Sequence, residues 1–182
     1  MGKRIWLIAV MVALAVMLTA CESAEKLTKT LDSSDGNFTF SVPDSWDYNN
    51  KQDQEGLVLQ MTDDVGAHAS VYFYDNTVYD YPADDAISYL TEYYGDNIIG
   101  EVQEEQVADY NARRFEYNMV DLDEEENEAD FHGYEYIIDT PYGVIEVDAY
   151  YSQDKVMGKI FKPSESQLEL LRNIVQSLKI NE

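Results

Sequence analysis

The chain has a single cysteine, Cys21, so no intramolecular disulfide can form and stability must come from packing. Basic residues are also scarce: 12 Lys and Arg face 36 Asp and Glu, a formal net charge of −24. A polyanion without a basic stripe gains nothing from a phosphate backbone, which excludes nucleic acid as a partner class. The same deficit disfavours docking on anionic lipid headgroups. Histidine occurs only as His68 and His132, each alone on a candidate strand. There is no G-x-S-x-G, so nucleophilic catalysis lacks its parts, and two histidines without a nearby third ligand make a poor zinc site. The expectation is a chain with no enzymatic activity, no metal and no cofactor.

Beyond the first 18 residues no long apolar run occurs. Ile5 to Leu18 is a 14-residue apolar segment behind Lys3-Arg4, right for a signal-peptide core and short for a membrane-spanning helix. It ends in Leu18-Thr19-Ala20-Cys21, which resembles the lipobox of bacterial lipoproteins. That resemblance implies cleavage before Cys21, a diacylglyceryl thioether on its sulfur, and usually an acylated amino group. Each buried methylene of such chains is worth about 0.8 kcal/mol, and two or more chains anchor stably. Residues 1–20 are thus expected to be a signal peptide, Cys21 the lipid attachment site, and the location the extracytoplasmic face of the cell membrane. Residues 21–36 are polar, end in Asp35-Gly36 and read as a tether. Residues 37–182 remain, enough for one domain with a real core.

Within that domain Phe38, Phe40 and Val42 alternate with polar residues, the mark of a half-buried strand, and Pro43 ends it. Trp46 is expected to fold back over the core. Further strands are expected from Gly56 to Met61 and from Ala67 to Tyr74. Pro82 suits a helix start, and Ala83, Ile87, Leu90 and Tyr94 make one apolar stripe that Gly95 closes. Glu101 to Val107 is weakly patterned. Ala108 to Asn111 reads as a turn, and Ala112 to Val120 alternates again. Phe131 to Asp139 and Val144 to Tyr151 are strands joined by Thr140-Pro141-Tyr142-Gly143. Ser164-x-x-Gln167 has the form of a capping box, followed by Leu168, Leu171, Val175 and Leu178 on one helical face. The fold class is α+β: an antiparallel sheet of about six to seven strands with two packing helices.

That order, with the Phe38-Thr39-Phe40-Ser41-Val42-Pro43-Asp44-Ser45-Trp46 opening and the Gln176-Ser177-Leu178-Lys179-Ile180 tail, resembles the PsbP/DcrB-like family of α/β/α sandwich domains. The likeness covers about Asn37 to Ile180. It departs at Asp109-Tyr110-Asn111, where relatives often carry glycine. The family implies a fold and mostly non-enzymatic members, among them an extrinsic photosystem subunit and envelope lipoproteins; fold alone carries no function across.

Fifteen tyrosines are the positive feature. Tyr72 and Tyr74, Tyr134 and Tyr136, and Tyr150 beside Tyr151 fall on three separate candidate strands. Tyrosine offers a rigid ring with a polar tip, as interfaces and saccharide platforms do. Tyr72, Tyr74, Tyr134, Tyr136 and Tyr150 are therefore candidates for a binding surface, with burial under a helix as the competing role. Seven of the ten residues from Asp121 to Asp130 are Asp or Glu. Asp121-x-Asp123-x-Glu125 opens like an EF-hand loop, but Glu126 stands where glycine must bend the chain, so a solvated loop without a calcium role is expected. The functional expectation is a membrane-anchored binding or scaffolding module for an envelope protein or a cell-wall glycan. The alternative is a cell-envelope hydrolase with an unrecognised site.

Overall fold

Strict alternation in the central strands builds one large sheet with two faces to cover. The computed structural model describes residues 25–50, 56–122, 128–154 and 161–181. Residues 1–24, with the signal-peptide reading and Cys21, lie outside the described residues. So does 123–127 of the acidic stretch. In chain order the elements are β1 (Lys29–Asp32), β2 (Phe38–Val42), β3 (Asp47–Asn49), β4 (Leu57–Thr62), β5 (Ala67–Asp75), α1 (Ala83–Tyr94), β6 (Ile98–Val107), β7 (Tyr110–Leu122), β8 (Glu128–Thr140), β9 (Gly143–Asp154), α2 (Glu165–Gln176) and β10 (Lys179–Ile180). Seven strands form an antiparallel sheet in the order β3-β4-β5-β9-β8-β7-β6, and β1-β2-β10 form a smaller one. Among the described residues the fold is thus the α+β antiparallel architecture with two helices.

The two faces of the large sheet are covered differently. On one, α2 and the three-stranded sheet bury Phe38, Phe40, Val71, Tyr136, Ile145, Val147, Leu171 and Val175 in the main core. Trp46 belongs to the same core and is fully buried, as its position after Pro43 suggests. On the other, α1 packs Ala86, Ile87, Leu90 and Tyr94 against Phe115, Tyr117 and Ile137. Both helices are stopped by local chemistry. α1 ends at Gly95, whose φ of 50° is easy only for glycine. α2 begins with a full capping box: the Gln167 amide donates to the Ser164 hydroxyl, and the Ser164 amide donates to Gln167 Oε1 at 2.8 Å.

Three segments differ from the sequence reading. Residues 29–36, read as tether, are folded: β1 pairs with β2 from Lys29↔Val42 to Asp32↔Thr39, and Leu31 is buried. β6 begins at Ile98 and runs along the sheet edge, exposed at most positions and buried only at Val107. The β6–β7 connection is a two-residue turn at Ala108 and Asp109, both at positive φ (52° and 68°), where glycine or asparagine would fit without strain.

Candidate functional site

α1 crosses β7 and β8, and among the described residues no helix covers the β9, β5 and β4 part of that face. Cross-strand register decides what lies there. Tyr72 pairs with Glu146, Ser70 with Asp148 and His68 with Tyr150; on the next strand Glu135 pairs with Asp148 and Gly133 with Tyr150. Gly133 is required: a β-carbon there would come 2.1 Å from the Ala149 carbonyl oxygen. Three carboxyl groups, on Glu135, Glu146 and Asp148, therefore share one patch of sheet beside α1. Tyr94 donates to Glu135 Oε2 at 3.1 Å, and Tyr117 donates to Asp148 Oδ1 at 2.6 Å. Glu135 is 2% exposed, and its Oε1 has no hydrogen-bond partner.

Burial sets the electrostatics. It pushes the Glu146 carboxyl to about 7, helped by Asp148, and pushes Asp148 to about 7 against the opposing Tyr117 hydrogen bond. Glu135 is raised well above the usual carboxylate range by burial, then by Asp148 and Glu146. None of the groups acting on these three acids is a cation. Tyrosines surround them. Burial and then Glu146 push Tyr81 to about 12 and raise Tyr74 further. Tyr93 is raised by burial, then by Asp121, Tyr89 and Asp148. Tyr74 and Tyr81 meet edge to face at 4.8 Å, while Tyr89 and Tyr93 are 62% and 58% exposed on α1. Together they mark a strip of sheet face beside α1, termed the groove: Tyr81, Tyr89 and Tyr93 stand on its helix side, and Tyr72, Tyr74, Tyr150 and the carboxyls on its strands. At one end Tyr81 also lines a cavity of about 340 Å³, with Tyr79, Asp80, Asp84 and Asp139.

A solved structure has the same architecture. The cyanobacterial PsbP (CyanoP) of Synechocystis sp. PCC 6803, solved in solution, superposes with a TM-score of 0.53 over 89% of this chain and 98% of that one, at 13% sequence identity. The fold is PsbP-like. At that identity the likeness is one of fold alone. No protein-family model matches the sequence, and no curated protein does.

The PsbP-like sheet divides the tyrosines named from the sequence. Tyr72, Tyr74 and Tyr150 are half-buried and lie on the groove floor. Tyr134 and Tyr136 point to the opposite face, beneath α2, and are buried, so they belong to the core and to no binding surface. The histidines also part. His68 stacks on Tyr150, ring centroids 5.1 Å apart, in the groove face. His132 is buried on the α2 face, 2.8 Å from Glu116 Oε1 and 3.2 Å from Asn118 Nδ2. They cannot share a ligand, and no three acids, histidines or cysteines among the described residues are placed to hold a metal ion. The acidic stretch is less of a loop than expected: Asp121 and Leu122 pair with Ala129 and Glu128 as strand ends, and Asp130 is buried.

Sequence reasoning missed Glu135, Glu146, Asp148 and the α1 tyrosines. Ile145-Glu146-Val147-Asp148-Ala149 alternates in the way of a strand with one wet face. The available signal was that Glu135 sits mid-strand, flanked by Tyr134 and Tyr136 and with Gly133 and Ile137 on its own face.

Proposed function

We propose that the chain is a lipoprotein anchored through Cys21 on the extracytoplasmic face of the membrane, where it serves as a non-catalytic module that binds a cell-wall glycan. The observation that carries this reading is the open groove of Tyr72, Tyr74, Tyr81, Tyr89, Tyr93 and Tyr150 beside acceptor carboxyls. Aromatic faces edged by hydroxyls and carboxyls suit a sugar's mixed apolar and hydroxylated surface. Among the described residues the side chains that mark the groove are aromatic and acidic, without the aliphatic anchor a protein partner's core contact would use. The alternative, a hydrolase of the envelope, draws less support. Glycoside hydrolysis needs one carboxyl protonated and its partner ionised. Here the three carboxyls are neighbours on two adjacent strands and do not face one another across a cleft.

Co-sedimentation of the full, detergent-solubilised chain with isolated, protein-free cell walls tests the reading. Binding is expected, with at least a tenfold loss, about 1.4 kcal/mol, in a Tyr72→Ala/Tyr150→Ala double variant. Failure of protein-free walls to retain the wild type would refute the glycan reading and leave an envelope protein as the partner class to pursue.

A further inference from the structure

Three features of the groove concern charge, and none is used by stacking alone. Glu135, Glu146 and Asp148 stand together with no cation among the groups that act on them. Glu135 Oε1 is a buried acceptor with no partner, although its sister oxygen is satisfied by Tyr94. Among the described residues of α1 and the large sheet, Arg113 is the one arginine or lysine that the register puts on this face. It is already committed to Asp84, at 2.7 Å.

We infer that the groove is selective for an amine-bearing saccharide, whose ammonium group lies against Glu146 and Asp148 while its ring rests on the tyrosines. The inference rests on the glycan-binding reading and narrows it. An ammonium ion supplies what the patch lacks: N–H donors for carboxylate oxygens and a positive charge over tyrosine faces, where cation–π attraction adds about 0.5–2 kcal/mol. Among the described residues the titratable groups around the patch are acidic or phenolic, apart from His68, stacked on Tyr150, and Arg113, held by Asp84. Glu135 comes from β8, Glu146 and Asp148 from β9, Tyr72 and Tyr74 from β5, Tyr117 from β7, Tyr93 and Tyr94 from α1, and Tyr81 from the segment before it. Held empty, such a patch keeps protons; an ammonium ion displaces them. Asp80 and Asp139 extend the same charge into the 340 Å³ cavity at the groove's end, where Asp84 is held by Arg113, so the preference does not stop at one sugar unit.

Calorimetric titration of the full chain in detergent compares a glucosamine oligosaccharide with its fully N-acetylated counterpart. It is run near pH 6, below the range of an ordinary amine, at physiological ionic strength. The amine form is expected to bind at least tenfold tighter. Glu146→Gln should erase that difference and leave the N-acetylated form's affinity alone. Asp109→Asn, an equal loss of charge at the exposed β6–β7 turn, should change neither. Equal affinity for the two oligosaccharides would overturn the inference while leaving glycan binding intact. Equal weakening by Glu146→Gln and Asp109→Asn would overturn it as well, because the attraction would then be the diffuse pull of a polyanion on a polycation. Wall binding without affinity for either oligosaccharide would overturn it too.

Discussion

Leu171→Ala probes the joint between the two sheets. Leu171 is fully buried on α2, and that helix packs on β8 and β9 of the large sheet and on β2 of the small one. The substitution removes three carbons, worth about 2.4 kcal/mol at about 0.8 kcal/mol each. A residual cavity of about 50 Å³, at about 24 cal/mol per Å³, adds roughly 1.2 kcal/mol. The expected loss is therefore about 3.6 kcal/mol, because neighbours drawn from two sheets cannot both close on the gap. For a domain of roughly 150 residues that corresponds to a fall of about 10 °C in melting temperature. Denaturant unfolding followed by circular dichroism measures it, with exposed Glu169→Ala as a control expected to shift by less than about 0.5 kcal/mol. A Leu171→Ala loss under about 1 kcal/mol would show that α2 is not the element that clamps the sandwich.

Three further expectations follow from the structure and the sequence. The raised carboxyls of Glu135, Glu146 and Asp148 make the folded state hold protons that the unfolded chain releases, so their contribution to stability is greatest at low pH. It should fall as pH rises from about 4 through about 7. Asp148→Asn should flatten this slope in melting curves, and an unchanged slope would refute the assignment. Metabolic labelling with a fatty-acid analogue should tag the wild type and not Cys21→Ser; equal labelling would end the lipoprotein reading. Calorimetry at physiological ionic strength should find no saturable calcium site in the stretch 121–130. One-site binding tighter than about 10⁻⁴ M and lost in Asp123→Asn would reverse that expectation.

What the sequence made legible was whatever its periodicity encodes. β2, β5 and β9 bury one residue in two, β7 and β8 carry recognisable β-rich runs, and α2 has both its cap and its stripe, so each was readable. β1 turns a single apolar side chain, Leu31, into the core, and β3 is exposed at all three positions. Neither has a pattern to read, and backbone pairing alone makes them strands. β6 is an edge strand exposed on both sides, where alternation has no consequence for burial. The site was harder for a related reason. Tyr72 and Tyr74 alternate just as Tyr134 and Tyr136 do, and a strand does not record which of its faces a distant helix will cover. Glu146 and Asp148 looked wet because their neighbours Ile145 and Val147 looked dry. Only the register of β8 on β9 brings Glu135 beside them.

The arrangement of the small sheet gives the chain a nearly closed topology. β1 and β10 flank the same strand, β2, with Lys29 opposite Val42 and Ile180 opposite Phe38. Two inter-strand steps make about 10 Å across, and four residues make about 14 Å along, so the domain's first and last strand residues stand roughly 17 Å apart. A bridge of about six extended residues spans that gap. The order of elements in the gene is therefore not dictated by the sandwich. A circularly permuted chain, joined there and opened between Ala108 and Asp109, would keep every described strand pairing and release the one turn among the described residues in which two residues other than glycine are held at positive φ.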